Sequence, residues 1–352
     1  MLIYFSDIMD FDNDGVHDLA IGAPKESFVI NGKKIPQVGA IYIFLMTING
    51  TIKNYSKISF LDGNGPMTYE NDQFGYSLAY IGDLDGDGVG DLAVGAPGDV
   101  VSSVFILFLN SNLTVKNSVL IRGVYNGDYS VLKNTSYPAN GPPIFYKMGF
   151  GTSIADLGDL DLDGTRELAV GSLSQSVGND TVFILYLFKN GTVRDYTVIG
   201  SNIGGGPNLL IPFSGFGSAI ANIGDINMDN ITDIAIGAKY YEDFIDANFR
   251  SGAIFICTLN RNGTVQESKQ ISIWSQQLMG FILPWQKDYF CGSAIMTNGD
   301  INLDNMRGHK PTLPHPARVK KNNDYFVGCP APDTGSFPYS FLSSFRIQLI
   351  II

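Results

Sequence analysis

Short apolar or alternating segments recur along the whole chain, and turn-forming Gly, Asn and Asp residues separate them. Four times, an apolar run is followed by a turn that carries Asn and then by a second, alternating run. Segments this short are typical of strands, and no segment has the periodicity of a helix. The pattern predicts an all-β protein, whose clearest strands are Ala40–Leu45, Val104–Leu109, Val182–Leu187 and Ala253–Leu259.

The turn after each run predicts a hairpin. Three of the turns read Asn-Gly-Thr, at residues 49–51, 190–192 and 262–264, and the fourth reads Asn-Leu-Thr, at 112–114. Asn-Gly between two strands is typical of a type I′ turn, in which both central residues need a positive φ. We therefore expect a tight, type I′ hairpin at these places.

A nine-residue acidic loop precedes each hairpin, and its first aspartate recurs at positions 10, 83, 159, 225 and 300. A strand that reads Leu-Ala-Ile/Val-Gly or Ile-Ala-Ile-Gly follows the first four loops, and Ala-Pro completes it twice. A Phe-Gly pair stands nine residues before three of the loops, at 74–75, 150–151 and 216–217. Cys291 and Gly292 take that place in the fifth copy. The three motifs therefore recur in phase along the chain.

Each repeat contains four predicted strands in about 70 residues, which is the size of one β-propeller blade. A single four-stranded sheet cannot bury both of its faces, whereas neighbouring blades stacked around an axis can. Small residues in the Phe-Gly strands suit a crowded innermost strand. The sequence predicts a single β-propeller domain over residues 1–352, with four-stranded blades at about 1–62, 63–148, 149–214, 215–289 and 290–352.

The acidic loops have the pattern of a hard-cation site. Positions 1, 3, 5 and 9 carry Asp, Asn or Glu, and position 6 is always Gly or Asn, the residues that best tolerate a left-handed backbone. Oxygen ligands on a sharp turn, with the carbonyl of position 7, favour Ca²⁺ over Mg²⁺, which usually keeps several waters. The predicted ligands of four or five structural calcium ions are Asp10, Asp12, Asp14, Asp18, Asp83, Asp85, Asp87, Asp91, Asp159, Asp161, Asp163, Glu167, Asp225, Asn227, Asp229, Asp233, Asp300, Asn302, Asp304 and Asp324.

An EF-hand is excluded by the residues after the loop. It needs a bidentate Glu at position 12 on a helix, and position 12 here is an aliphatic residue inside a predicted strand: Ile21, Val94, Val170 or Ile236.

The overall charge agrees with cation binding. The 352 residues carry a formal charge of −11, so nucleic acid and anionic lipid are poor partners. Three Cys residues without a CxxC pair make neither a disulfide framework nor a cysteine zinc site. Only three His residues are present and no convincing catalytic constellation, so we do not expect an enzyme. No run is apolar enough to span a bilayer, and residues 1–10 do not read as a signal peptide.

The motifs together resemble the FG-GAP repeats of integrin α-subunit propellers, from about Asp7 to Pro332. The resemblance implies blades around an axis, calcium loops on the lower face, and a ligand or partner subunit on the upper face. It further implies an extracellular or cell-surface protein for recognition or adhesion, and the Asn-X-Ser/Thr sequons at 49, 54, 112, 134, 179, 190, 230 and 262 would permit glycosylation there.

The chain departs from that family in length and in its last repeat. The integrin propeller has seven blades and only five repeats are visible here, so we expect the chain to be a fragment of a longer protein or an incomplete gene model. A free-standing smaller propeller is the alternative. In the fifth repeat, residues 306–321 separate Asp300–Asn305 from Asn322–Asp324, which resume the loop. These residues are basic and Pro-rich, and we interpret them as an unspliced insertion in the gene model or a surface insertion.

Ligand contacts are expected on upper-face loops, at Lys239–Arg250 with Tyr240, Tyr241 and Phe244, and at Arg122–Lys147 with Tyr125, Tyr129 and Tyr146. Aromatic residues on loops suit recognition, although the same residues could pack between blades. Two other functions remain open from the sequence. The chain could be a non-catalytic propeller of a secreted enzyme, such as a phospholipase or glycan hydrolase, or a lectin-like propeller that binds glycans.

Overall fold

The computed structural model describes residues 4–5, 10–12, 14–98, 102–123, 149–173, 180–208, 213–241, 252–272, 292–297 and 325–328. Twenty strands and no helix occur in these residues. The predicted all-β class is therefore confirmed.

The strands form four antiparallel four-stranded sheets, which we call blades one to four. Blade one contains β1 (Tyr4–Phe5), β2 (Leu19–Gly22), β5 (Ile41–Met46) and β6 (Ile52–Ile58), and a small hairpin, β3 (Phe28–Ile30) and β4 (Lys33–Ile35), projects from it. Blade two contains β7 (Ser77–Gly82), β8 (Asp91–Ala96), β9 (Ser103–Leu109) and β10 (Val115–Arg122). Blade three contains β11 (Phe150–Gly158), β12 (Glu167–Ser172), β13 (Thr181–Leu187) and β14 (Val193–Gly200). Blade four contains β15 (Phe216–Gly224), β16 (Asp233–Ala238), β17 (Ala253–Leu259) and β18 (Val265–Ser272).

The hydrophobic core lies between consecutive blades. Ile41 and Ile43 of blade one pack with Phe74 and Val94 of blade two, and equivalent clusters join blades two to three and three to four. The Phe of each Phe-Gly pair is fully buried and stacks edge-on against a Phe of the third strand, in the pairs Phe74–Phe105, Phe150–Phe183 and Phe216–Phe255. The first strand of each blade is the inner one that contacts the next blade.

A glycine contact between neighbouring blades explains why the Phe-Gly and Gly-Ala motifs recur in phase. Gly171 in β12 lies against Gly217, at the start of blade four: a Cβ on Gly171 would sit 2.2 Å from the Gly217 carbonyl oxygen. Gly217 itself has a φ of +91°, which favours glycine. The same contact recurs in the pairs Gly22–Gly75, Gly95–Gly151 and Gly237–Gly292. A serine hydroxyl adds a hydrogen bond across three of these junctions, from Ser77 to Gly151 O, Ser153 to Gly217 O and Ser218 to Gly292 O.

The hairpins between the third and fourth strands form as predicted, but with a different turn. Gly191 N donates to Phe188 O, and only Gly191 has a positive φ. This is a three-residue loop with a bulge at the glycine, so the type I′ prediction is wrong. Leu113 takes the glycine's place in blade two at φ +63°, where its buried side chain packs in the core of blades one and two.

Part of the fifth repeat is also described. The pair β19 (Ala294–Thr297) and β20 (Tyr325–Gly328) is antiparallel, with Ala294 opposite Gly328. Ser77 faces Gly95 and Ser153 faces Gly171 at the equivalent places, so the fifth repeat begins like the others. Residues 306–321 lie outside the described residues, and the insertion and the blade bounds stay predictions.

Candidate metal centres in the inter-strand loops

Each of the four described acidic loops connects the inner strand of a blade to its second strand, and its backbone wraps around the carboxylate of position 1. In the second loop, Asp83 accepts hydrogen bonds from the N–H groups of Gly86, Asp87 and Gly88 at 2.7–2.9 Å. Asp10, Asp159 and Asp225 accept from the N–H of position 6 in the same way. The four loops therefore share one conformation.

Position 6 is left-handed in all four described loops, as predicted: Gly15, Gly88, Gly164 and Asn230 have φ values of 81°, 89°, 87° and 62°. Position 4 is left-handed as well in loops two to four, at Gly86, Leu162 and Met228. No pattern in the sequence marks this conformation at Leu162 and Met228, whose side chains project into solvent.

The carboxylate of position 9 is buried and ties the loop to the third strand. Asp91 is 1% exposed, and it accepts hydrogen bonds from the N–H of Leu84 at 2.9 Å and of Leu109 at 3.1 Å. Asp18 and Asp233 make the equivalent pairs of bonds. Glu167 accepts from the N–H of Leu160.

The structure brings positions 1, 3 and 9 together in three loops. The ligand atoms within each group lie within 4.8 Å of one another, in the groups Asp10–Asp12–Asp18, Asp83–Asp85–Asp91 and Asp159–Asp161–Glu167. The predicted carboxylates of position 5 (Asp14, Asp87 and Asp163) are not in these groups, because they accept the N–H of position 7 and face the fourth strand. Loop four carries Asn227 at position 3. Asp300, Asn302, Asp304 and Asp324 of loop five lie outside the described residues.

The donor set fits a hard cation. Two buried carboxylate oxygens without a hydrogen-bond partner are independent evidence for a bound cation. Glu167 is fully buried, yet its Oε1 has no hydrogen-bond partner, and neither does the buried Oδ1 of Asp12. A buried carboxylate oxygen without a partner is costly. Both residues belong to the groups described above, where a cation with all-oxygen ligands would satisfy such oxygens.

A basic side chain from the fourth strand of the blade binds each of the first three loops, and the sequence analysis missed it. Lys116 Nζ lies 2.7 Å from Asp85 Oδ2 and 2.5 Å from Asp87 Oδ2. Lys53 pairs with Asp12 and Asp14, and Arg194 with Asp161 and Asp163. The hydrogen bond from the lysine holds the pKa of Asp14 and of Asp87 below its usual range. The signal was present: the three basic residues stand at one position, directly after the apolar residue that follows each Asn-X-Thr turn.

Burial gives the position-9 carboxylates a measurable pH dependence. It raises the pKa of Asp91 and Asp233 to about 6 and of Glu167 to about 7, above unfolded values of about 4. In calcium-free buffer these groups stabilise the fold when protonated, and that stability is lost as the pH rises through 6 to 7. We expect a higher melting temperature near pH 5.5 than near pH 7.5.

Calcium should reverse this trend, because it binds the ionised carboxylates. The rise in melting temperature on adding calcium should therefore be smaller near pH 5.5 than near pH 7.5. Scanning calorimetry of wild type and Glu167→Gln measures both effects. A melting temperature with the same pH dependence in the two proteins would contradict the assignment.

A cleft of about 280 Å³ opens at the end of blades two to four opposite the acidic loops. Thr152, Asp180, Lys239 and Tyr240 are among its lining residues. Thr152 precedes the first residue of loop three by seven positions of extended chain, a distance of about 20 Å. Lys239 Nζ lies 4.9 Å from the centre of the Tyr240 ring, so the cleft offers a cation and an aromatic face. The Asp180 carboxylate is buried and accepts the Gly215 N–H.

The structure tests the predicted upper-face aromatic residues only in part. Tyr241 is 4% exposed and packs edge-on against Phe255, so it belongs to the core. Tyr240 is 37% exposed and lines the cleft. Phe244, Tyr125, Tyr129 and Tyr146 lie outside the described residues. Within the described part of the chain, no helix is long and apolar enough to cross a membrane.

Comparison with known proteins supports the motif assignment. The family model described as FG-GAP repeat matches residues 74–107, which contain the Phe-Gly pair, loop and second strand of blade two. Integrin alpha-6 of Homo sapiens is 35% identical over 170 residues, which are 48% of this chain and 12% of the relative.

Other integrin α-subunits match longer parts of the chain. Integrin alpha-PS2 of Drosophila melanogaster is 30% identical over 195 residues, 55% of this chain and 12% of the relative. Integrin alpha-8 of Gallus gallus is 25% identical over 308 residues, 80% of this chain and 24% of the relative. The chain thus spans a quarter or less of the length of these relatives. The matches show that the chain contains FG-GAP repeat sequence and that it is similar to integrin α-subunits over up to 80% of its length.

Proposed function

We propose that this chain is a calcium-stabilised β-propeller that acts outside the cell as a recognition or cell-adhesion module, in the manner of an integrin α-subunit. The observation that carries the proposal is the repetition of one carboxylate-lined loop in four consecutive blades, with buried oxygens that lack a protein partner. The cleft at the opposite end supplies a separate surface for a ligand.

In the first three loops, the residues at positions 1, 3 and 9 would hold the ion, together with the carbonyl of position 7. The position-5 carboxylate stays a predicted ligand, because in this structure it binds the position-7 N–H and the basic side chain of the fourth strand. The bound ion supplies two positive charges to a group of carboxylates that otherwise repel one another. The protein's own residues hold the loop in shape: position 9 ties it to the third strand, and position 1 gathers the N–H groups of the turn. The metal is structural and does not take part in catalysis.

The ligand would bind at the cleft end of the blades, where a protein surface or a glycan can meet Lys239 and Tyr240. A partner subunit could share that face, as the integrin resemblance implies. We place the protein at the cell surface or in the extracellular space, and we do not propose an enzymatic activity.

Immobilised chain tests the ligand-binding proposal directly. Purified extracellular-matrix proteins and a glycan array are the probes, each applied with millimolar calcium and with EGTA. We expect calcium-dependent binding of a matrix protein, weakened about tenfold by Tyr240→Ala combined with Lys239→Ala, a loss of about 1.4 kcal/mol. Lys189→Ala, at an exposed hairpin turn, is the control.

Binding that is equal in calcium and EGTA, or unchanged in the cleft variant, would contradict this proposal. Calcium-dependent binding to the glycan array alone would favour the lectin-like function instead.

A further inference from the structure

In each of the four blades, one residue of the fourth strand contacts the acidic loop. This residue is positively charged where position 3 of the loop is Asp, and it is neutral where position 3 is Asn. In blades one to three, position 3 of the loop is Asp and the strand residue is basic, in the pairs Asp12–Lys53, Asp85–Lys116 and Asp161–Arg194. In blade four, position 3 is Asn227 and the strand residue is Gln266. In blade four, therefore, the acidic loop residue and the basic strand residue are both replaced by neutral amides.

The formal charge of the loop is consequently the same in all four blades. Four carboxylates and one basic residue give −4 + 1 = −3 in blades one to three, whereas three carboxylates and no basic residue give −3 in blade four. Arg166 is not counted in loop three because it pairs with Asp156, which lies outside the loop.

Hydrogen bonds in blade four show how the basic residue is replaced. Asn227 Nδ2 donates to Asp229 Oδ2 at 2.9 Å and to Gln266 Oε1 at 3.3 Å. The Oδ2 atom of position 5 accepts the lysine or arginine in the other three blades. The amide of Asn227 therefore takes over the contact that the basic side chain makes elsewhere, and Gln266 keeps the place of the strand residue.

The basic side chain also leaves ligand atoms free. Lys53 binds Oδ2 of Asp12, and the other oxygen, Oδ1, is buried without a partner. Positions 1 and 9 make no ion pair with it. Lys53 and Lys116 are thus placed to neutralise one charge of the loop and to orient positions 3 and 5. One oxygen each of positions 1, 3 and 9 lies within 4.8 Å of the others.

We propose that Lys53, Lys116 and Arg194 are positioning residues of the metal loops, which hold the formal charge of each loop at −3 and thereby limit its affinity for a divalent cation. This inference rests on the proposed calcium binding. Its physical reason is that carboxylate repulsion destabilises the ion-free loop, whereas a fixed positive charge beside the site opposes the arriving ion. The number of ligand charges is a main determinant of calcium affinity.

Replacing both lysines tests the proposal. Relative to wild type, Lys53→Gln combined with Lys116→Gln should lower the melting temperature in EGTA and raise the mean calcium affinity of these sites about three- to tenfold at low ionic strength. Added salt should reduce the gain in affinity. The measurements are scanning calorimetry in EGTA and calorimetric titration with CaCl₂.

Two further variants separate the local effect from net charge. Lys189→Gln combined with Lys269→Gln removes the same two charges from exposed positions without ion pairs in the described residues, and should leave both quantities near wild type. Adding Asp12→Asn and Asp85→Asn to the double lysine variant reproduces the combination of blade four. It should restore the melting temperature in EGTA and return the affinity toward that of wild type.

Each result has one meaning. Wild type that binds calcium, together with a double lysine variant that behaves like the Lys189 and Lys269 control, overturns this inference and leaves the proposed function intact. A melting temperature lowered equally in calcium and EGTA, with unchanged affinity, shows a merely structural role and also overturns it. Wild type that binds no calcium overturns the proposed function and this inference with it.

Discussion

Replacing Asp91 with alanine is expected to cost about 2–6 kcal/mol of folding free energy and to remove one calcium site. The side chain is buried and accepts the N–H groups of Leu84 and Leu109. Alanine leaves both donors without a partner, and each unsatisfied buried donor costs about 1–3 kcal/mol. The loop would then lose its connection to the third strand, so stability should fall in EGTA as well as in calcium. The fall should be larger in calcium, because the variant also lacks the stabilising ion.

The milder variant Asp91→Asn separates the contribution of the bound ion to stability from that of the two hydrogen bonds. Asp91→Asn keeps one acceptor oxygen, so it should lose less stability in EGTA than Asp91→Ala, yet it should still weaken the second site. Glu267→Ala, on an exposed face of β18, is the control for removing a carboxylate. Scanning calorimetry gives the stabilities and titration with CaCl₂ gives the number of sites. An alanine variant with the melting temperature and site number of wild type would refute the role given to Asp91.

Replacing Gly171 with alanine is expected to separate blades three and four, at a cost of about 3 kcal/mol. The added methyl group would lie 2.2 Å from the carbonyl oxygen of Gly217 and 2.4 Å from Ser153 Oγ. Neither backbone can move without disturbing the packed strands of both blades. The calcium loops are at the other end of these strands, so the number of calcium sites should stay the same.

Gly200→Ala is the matched control for this change. A methyl group there would meet the Thr181 methyl at 3.1 Å and no closer atom, so a small effect is expected. Thermal unfolding of both variants in calcium measures the difference. If Gly171→Ala melted as Gly200→Ala does, the glycine contact would not be a constraint on the fold.

The loops could be predicted from the sequence because their requirements are local. A left-handed backbone at position 6 favours Gly or Asn, and oxygen ligands at fixed offsets require Asp, Asn or Glu. Both features can therefore be recognised in the sequence of every repeat. The third strands are equally local: Ala253–Leu259 was predicted with the bounds that β17 has.

The features that escaped prediction depend on partners that are distant in sequence. Lys116 resembles any exposed strand lysine until the pairing of β10 in blade two brings it to Asp85 and Asp87. Tyr241 looked like a ligand contact, yet it packs on Phe255. The turn at Asn190-Gly191 has the same residues in either hairpin type. The hydrogen bond from Gly191 N to Phe188 O, with a positive φ at Gly191 and not at Asn190, distinguishes them.

The phase of the Phe-Gly and Gly-Ala motifs was visible in the sequence, but its cause was not. Gly95 and Gly151 are 56 residues apart, and only the stacking of blade three on blade two shows that they touch. The glycine of each second strand therefore contacts the glycine of the Phe-Gly or Cys-Gly pair in the next repeat.

Calorimetric titration of the purified chain with CaCl₂, combined with thermal unfolding in calcium and in EGTA, tests the central claim most directly. We predict at least four bound ions and a large rise in melting temperature, since each site with a Kd of about 0.1 mM adds about 2.7 kcal/mol at a calcium concentration one hundred times higher. MgCl₂ at the same concentration should stabilise the chain less. A chain that releases no binding heat and melts at the same temperature in calcium and EGTA would contradict the account.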